Sequence, residues 1–266
     1  MDMWGDRNSG AWKLPSVIVT FALRGEFTPW RRLRRFKRFS EISHSIYSTQ
    51  SGEGDIYAVL TGVGTRGFPT ELKKLLATRA GICVVTGLAG SLKMHHAAGT
   101  ILVARAVKRD KTAAVITSDK SLVTIATHCG ATAVDFFCTA GAILNSSSEK
   151  LRLSQTADAV EMESFQIMAE AQRNGVPVVA VRAVSDAMDR NLPLDFNRII
   201  DDDGEISWLR ASSQVAAAPT RLPHLIRFGF ESWRAARNLA YFLDEYVKCL
   251  AVEASLQLNT VRTEVR

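Results

Sequence analysis

The chain of 266 residues is 47% hydrophobic and carries a formal net charge of +6, with a sequence pI near 9.3. That size and apolar content suit a globular chain with a sizeable core, and no apolar run approaches the ~20 residues of a membrane span. The start lacks the basic-then-apolar order of a secretory signal, so a cytoplasmic location is expected, and four scattered cysteines (Cys83, Cys129, Cys138, Cys249) without a CxxC pair argue against a disulfide framework or a zinc site.

Residues 1–15 read as an N-terminal extension, 16–250 as one domain and 251–266 as a tail. "SVIVTFAL" (16–23) reads as a buried strand. The basic run "WRRLRRFKRF" (30–39) follows, with Leu33 and Phe36 as a narrow apolar edge under a cationic face. A solvated surface helix is the preferred reading of that run. Clustered guanidinium groups also suit phosphates, so an anionic-lipid or nucleic-acid contact is the sharper alternative. A hairpin spans "HSIYSTQ" and "IYAVLTG", and then come a helix over 69–79, strands over 81–90 and 100–108, and a helix over 119–129. A strand over 132–141, a helix over 161–174, a strand over 176–186 and a helical stretch from about 220 to 250 complete the pattern. Apolar strands without alternation, separated by helices, predict a single-domain α/β fold whose mixed central β-sheet has helices on both faces.

In such sheets ligands sit at the carboxyl ends of the strands. "TGVGTRG" (61–67) holds a GxGxxG pattern at one of these ends. A dinucleotide fold also needs an acidic residue about 20 positions on, closing the next strand. Here the next strand ends in "VVTGLAGS", with no acid, so the glycines serve a tight turn, a smaller anion or a water. The acids say more. Glu161 and Glu163 flank Met162 at a predicted helix start, and Asp186 closes a strand of valine and alanine. An aspartate there is costly to bury unless it is hydrogen-bonded or works as an acid, which points to paired carboxylates around a polar organic ligand. First-turn surface acids are the plainer reading of the two glutamates. The histidines show no ligand spacing, and no metal is expected. The acidic run at 201–203, followed by Gly204, reads as a solvated turn.

The segment "VEMESFQIMAEAQRNGVPVVAVRAVSDAMDRN", with "GVG" and "TGLAG" upstream, resembles the purine nucleoside phosphorylase superfamily, particularly the methylthioadenosine/S-adenosylhomocysteine nucleosidases. The resemblance runs from about residue 16 to 200. It implies that Glu163 binds the ribose, with Met162 beside the sugar and Val160 and Glu161 lining the same pocket. It implies a general acid at Asp186, protonating N7 of the purine and steadied by Ser185, and a base for the attacking water at Glu26 in "FALRGEF". Gly62, Gly64, Ala89 and Gly90 would surround the nucleophile and ribose, and Ile143 and Leu144 would contact the base. The chain departs from the hydrolases at Leu88, where they carry a serine, and at Phe21, where they carry a glycine. Arg24, Thr65 and Arg66 fall on the two loops where the phosphorylases bind phosphate.

The resemblance thus implies cleavage of the N-glycosidic bond of a purine nucleoside, adenine first, by water, with phosphate open as a co-substrate and no other cofactor. A small-molecule nucleoside and a homo-oligomer, dimer first, are the implied partners, with no nucleic acid. The stretch from "LPLDFNRII" to "RAARNL" is similar to the C-terminal region of hopanoid-associated phosphorylases, which would make an adenosyl lipid the substrate and the basic run and the apolar-rich tail membrane-surface contacts. A tail that covers the sheet or forms a subunit contact explains the same residues without a membrane. A non-catalytic nucleoside-binding module on the same scaffold is the reading from another class.

Overall fold

Alternation along β1 (Val17–Phe21) decides how the sheet is covered. Val17, Val19 and Phe21 face one apolar layer and Ile18 the other. The computed structural model describes residues 16–39, 45–51, 54–65, 69–79, 81–199 and 207–264. After β1 come α1 (Arg24–Arg34), β2 (Lys37–Arg38), β3 (Ile46–Ser51), β4 (Gly54–Leu60) and α2 (Thr70–Thr78). β5 (Ile82–Val85), β6 (Leu88–Ser91), β7 (Ile101–Arg109), β8 (Val115–Thr117), α3 (Lys120–His128), β9 (Thr132–Thr139) and α4 (Ser147–Ser154) follow. The chain continues through β10 (Ala159–Glu161), α5 (Ser164–Arg173), β11 (Val178–Asp186), α6 (Phe196–Ile199), α7 (Trp208–Ala217) and α8 (Leu222–Glu264).

The strands form one mixed sheet in the order β2-β3-β4-β1-β5-β11-β6-β10-β9-β7-β8. β11 is buried at every position and touches three partners, running parallel to β5 and β6 and antiparallel to β7. With the β6–β10, β10–β9 and β9–β7 pairings this closes a five-strand circuit, so the end of β11 is surrounded by other strand ends. Helices cover both faces. Phe27 and Trp30 of α1, Leu122 of α3 and Leu239, Leu243 and Tyr246 of α8 fill one layer. Leu72, Leu75 and Leu76 of α2 with Ile167, Met168 and Ala171 of α5 fill the other. This is the α/β architecture that the apolar, non-alternating strands predict, because a strand covered on both sides has no polar face to show.

β2, β8, α4, α6 and α7 have no counterpart in the sequence expectation, and four further elements differ from it. The strand predicted over 81–90 is two strands, because the chain turns at Gly87, whose φ of +145° a side chain tolerates poorly. The helix predicted from 161 begins at Ser164. Ala159–Glu161 pairs with β9 and β6 instead, which moves Glu161 onto a strand end. The basic run is not one amphipathic helix: α1 stops at Arg34, Arg35 takes a left-handed φ of 55°, and Trp30 and Phe36, rather than Leu33 and Phe36, form the buried edge. The rings of Trp30 and Phe36 pack at a tilt of 55°, 4.8 Å apart between centroids. Finally, α8 runs without a break to Glu264, across the tail boundary drawn at 250, as its alanine-, leucine- and glutamate-rich sequence favours. The N-terminal extension, Arg66 and the acidic run at 201–203 lie outside the described residues. The four cysteines are free, and among the described residues no helix is long and apolar enough to cross a membrane.

Candidate active site

A cavity of about 700 Å³ opens at the carboxyl ends of β1, β10 and β11, beside Leu88, Ala89 and Gly90 at the start of β6. It is lined by Glu26, Glu161, Glu163 and Asp186, each more than nine-tenths buried. Bringing four carboxylates into one low-dielectric pocket is unfavourable unless cations and N–H donors meet them. The chain supplies both.

Glu26 sits in the first turn of α1 rather than on a loop. Its carboxylate reaches back to accept the N–H groups of Ala22 (3.0 Å) and Leu23 (3.1 Å), and its other oxygen accepts that of Leu88 (3.0 Å) across the cavity floor. Three donors fix the carboxylate, while burial, opposed by Arg182 and those N–H groups, raises its pKa above the usual carboxylate value. A fixed carboxylate with a raised pKa suits a proton acceptor.

Glu163 precedes α5. Its Oε1 accepts the N–H of Gly64 at 2.8 Å, and its Oε2 faces Arg182 at 3.3 Å. Gly64 holds a φ of +74°, and a Cβ there would meet the Cε of Met162 at 3.4 Å, so the turn at Gly64 serves as a ledge for a carboxylate. Burial first, then repulsion from Glu161 and Glu26, pushes the pKa of Glu163 up to about 7, against the pull of Arg182 and Gly64.

Glu161 is spent on the protein itself. Its oxygens accept Thr139 Oγ1, the N–H groups of Glu163 (2.9 Å) and Ser164 (2.7 Å), and the Arg182 guanidinium. It orients the glutamate two residues on and has little left for a ligand.

Asp186 ends β11. Ser185 Oγ lies 2.6 Å from its Oδ1 and 3.2 Å from Ala89 O, so one hydroxyl proton serves either acceptor. The other oxygen, Oδ2, is bonded to Lys150 Nζ, which also donates to Ala187 O (2.8 Å) and Arg190 O (3.2 Å). Gly90 leaves the space the carboxylate occupies, since a Cβ there would meet Asp186 Oδ2 at 3.2 Å.

Val160, Met162, Ala89, Gly90, Ile143 and Leu144 line the same cavity, as does the exposed Arg24 at its rim. Ile143 is pinned at both backbone groups by Asn197, 2.8 Å from its N and 2.9 Å from its O. Gly62, with a φ of +71°, shapes the turn after β4 but is not part of the cavity wall. Thr65 ends the short helical turn Val63–Thr65 beyond it.

Two cations escaped the sequence reading. Arg182, 1% exposed, bonds Glu161, Ser164 Oγ (2.9 Å) and Thr86 O (2.9 Å) besides facing Glu163. Its signal was present: a lone arginine inside "VVAVRAVSD" cannot be buried without partners, and two unpaired glutamates stood upstream. Lys150, also 1% exposed, lies on α4 in "SSEKLRLS", where nothing separates it from an ordinary surface lysine. Gly87 makes room for the first of them, since a Cβ would stand 2.3 Å from Arg182 Nη1. Gly87→Ala is therefore expected to destabilise the fold by about 1–3 kcal/mol, read from a denaturant midpoint. An unchanged midpoint would show that the guanidinium has room to move.

Solved structures share this architecture. 5′-Methylthioadenosine/S-adenosylhomocysteine nucleosidase from Helicobacter pylori, with butyl-thio-DADMe-Immucillin-A, superposes with a TM-score of 0.67 at 18% identity over 88% of this chain and 98% of that one. Futalosine hydrolase of Helicobacter pylori gives 0.66 at 18% identity over 88% and 98%, and the Campylobacter jejuni nucleosidase gives 0.66 at 15% over 87% and 98%. No curated protein sequence matches significantly. The sequence pattern of the Phosphorylase superfamily matches residues 17–207, a span that carries β1 through β11 and every carboxylate of the cavity, and the chain belongs to that superfamily of enzymes.

Proposed function

We propose that the protein cleaves the N-glycosidic bond of a purine nucleoside, adenine first, with water as the acceptor. The observation that carries this reading is the single cavity holding Glu26, Glu163 and Asp186, each fixed by donors of known position. A purine leaves as an anion unless N7 is protonated as the bond breaks, and a carboxylic acid removes that obstacle. Asp186 takes this role. Its proton source is the Lys150 ammonium bonded to Oδ2, which among the described residues shares the carboxylate with the Ser185 hydroxyl. Positive charge develops on the ribose as the bond lengthens, and Glu163 strengthens its hold on the sugar as that charge grows. Glu26 accepts the proton of the attacking water.

Only the ionised form of Glu163 can stabilise a cationic sugar, and its carboxyl gains a proton as the pH falls through about 7. The kcat/KM is therefore expected to fall on the acid side of about 7, and the residual activity of Glu163→Gln is expected to lack that limb. A wild-type profile flat across about pH 5 to 8 would remove the role.

The cavity lining also includes the apolar side chains of Leu88, Leu192, Phe196, Phe228 and Trp233. With Arg24 at the rim, it favours as the second reading a phosphate-dependent cleavage of a nucleoside whose 5′ substituent is apolar, such as an adenosyl lipid. Incubation with methylthioadenosine, with and without phosphate, separates the two. Free methylthioribose in both reactions supports hydrolysis, and a sugar 1-phosphate formed only with phosphate overturns it. Adenosine analogues that raise the melting temperature while no base is ever released would leave a binding module.

A further inference from the structure

α8 presents two faces. The buried one carries Leu239, Leu243 and Tyr246 into the core. On its first turns an outer stripe holds Leu222, Ile226, Phe230 and Trp233 at three- and four-residue spacing and, two turns on past Arg237, Tyr241, each between 45% and 65% exposed. A contiguous apolar stripe of this kind on a soluble fold marks a contact surface. Arginines frame it: four lie between residues 221 and 241 against the single Glu231, which is already paired with Arg190 and Arg227. Arg237 lies over the rings of both Trp233 (5.4 Å) and Tyr241 (5.6 Å), so the cation and the aromatics form one exposed unit.

We infer that this stripe docks on an anionic lipid surface, its apolar side chains entering the headgroup boundary and its arginines meeting lipid phosphates. Tryptophan, tyrosine and phenylalanine interleaved with arginine on one helix face suit that boundary, where each side chain has an apolar body and a polar end. The charge decides against a second copy of the chain. A two-fold interface sets a patch against itself, which would bring arginines against arginines with one glutamate already taken on each side. An anionic surface meets them instead. Trp233 belongs to both the stripe and the cavity wall, so docking would set the cavity mouth beside the lipid surface. The inference stands apart from the chemistry proposed for the cavity, because none of it depends on which bond is cleaved.

The test is sedimentation of the full chain with vesicles of phosphatidylcholine alone and of phosphatidylcholine mixed with phosphatidylglycerol. The protein is expected to pellet with the mixed vesicles and not with the neutral ones. Ile226→Asp with Phe230→Asp should abolish pelleting, and Arg221→Gln with Arg237→Gln should weaken it by about fivefold per arginine. Neither pair lines the cavity, so base release from a soluble nucleoside and the melting temperature should be unchanged. The wild-type comparison of the two vesicles decides the matter even if a variant fails to fold. Equal pelleting with neutral vesicles, pelleting with neither, or undiminished binding by the folded aspartate variant would each overturn the inference. So would light scattering in which the aspartate variant turns a dimer into a monomer.

Discussion

Asp186→Asn is expected to lower base release by roughly 10²–10⁴-fold while a nucleoside analogue still binds. Asparagine keeps the shape and the hydrogen bond from Ser185 but has no acidic proton to hand to N7. The loss should appear in kcat rather than in affinity, because the interaction removed matters only as the glycosidic bond breaks. Lys150 sharpens the expectation. Its ammonium is bonded to Asp186 Oδ2 and to two backbone carbonyls, so in the variant it keeps the carbonyls and loses the one partner able to carry a proton onward. Stopped assays of adenine release, alongside calorimetric binding of the analogue, measure both quantities. Near-normal turnover in Asp186→Asn would take the acid away from this residue.

The second large effect is on the fold. Arg182→Met removes the guanidinium that Glu161 and Glu163 share and that moderates the raised pKa of Glu26. Breaking a buried ion pair by deleting one partner costs about 3–5 kcal/mol, since the remaining charge is left uncompensated. The variant is expected to lose stability on that scale at neutral pH. The sign with pH follows from the shifts. Glu163 and Glu26 have folded-state pKa values raised above their unfolded values, so the folded state takes up protons more readily than the unfolded chain. Their unfavourable contribution is absent below the unfolded value and fully present above the folded one. Removing Arg182 enlarges it, so the deficit of Arg182→Met should shrink as the pH falls from above about 7 toward the ordinary carboxylate range. Denaturant unfolding at two pH values checks this, and an equal deficit at both would mean that packing rather than charge is what Arg182 supplies.

How much of this the sequence disclosed depends on what each residue must do locally. The sheet was legible because β1, β5 and β11 are buried on both faces and therefore read as unbroken apolar runs. The turn at Gly87 was not, because a glycine between two apolar stretches looks the same whether the strand passes through or folds back. Glu161 reads as helical because an acid beside Met162 and Glu163 resembles a first turn. Its pairing with β9 depends on residues about twenty positions earlier, which no local pattern contains. Asp186 stood out because a carboxylate ending so apolar a strand requires an explanation. Arg182, four residues before it, required one equally. It is the group around which the three glutamates are arranged, and a search for the cations that buried acids need would have reached it. Lys150 would still have been missed, because its burial is set by the approach of α4 to the end of β11.

The most direct test is a crystal structure of the protein with an adenine nucleoside analogue in the cavity. The Glu163 carboxylate is expected within hydrogen-bond distance of the ribose hydroxyls and Asp186 facing N7 of the base, with Glu26 on the opposite side of the C1′ carbon. A base seated away from Asp186, or a sugar out of reach of Glu163, would contradict these roles.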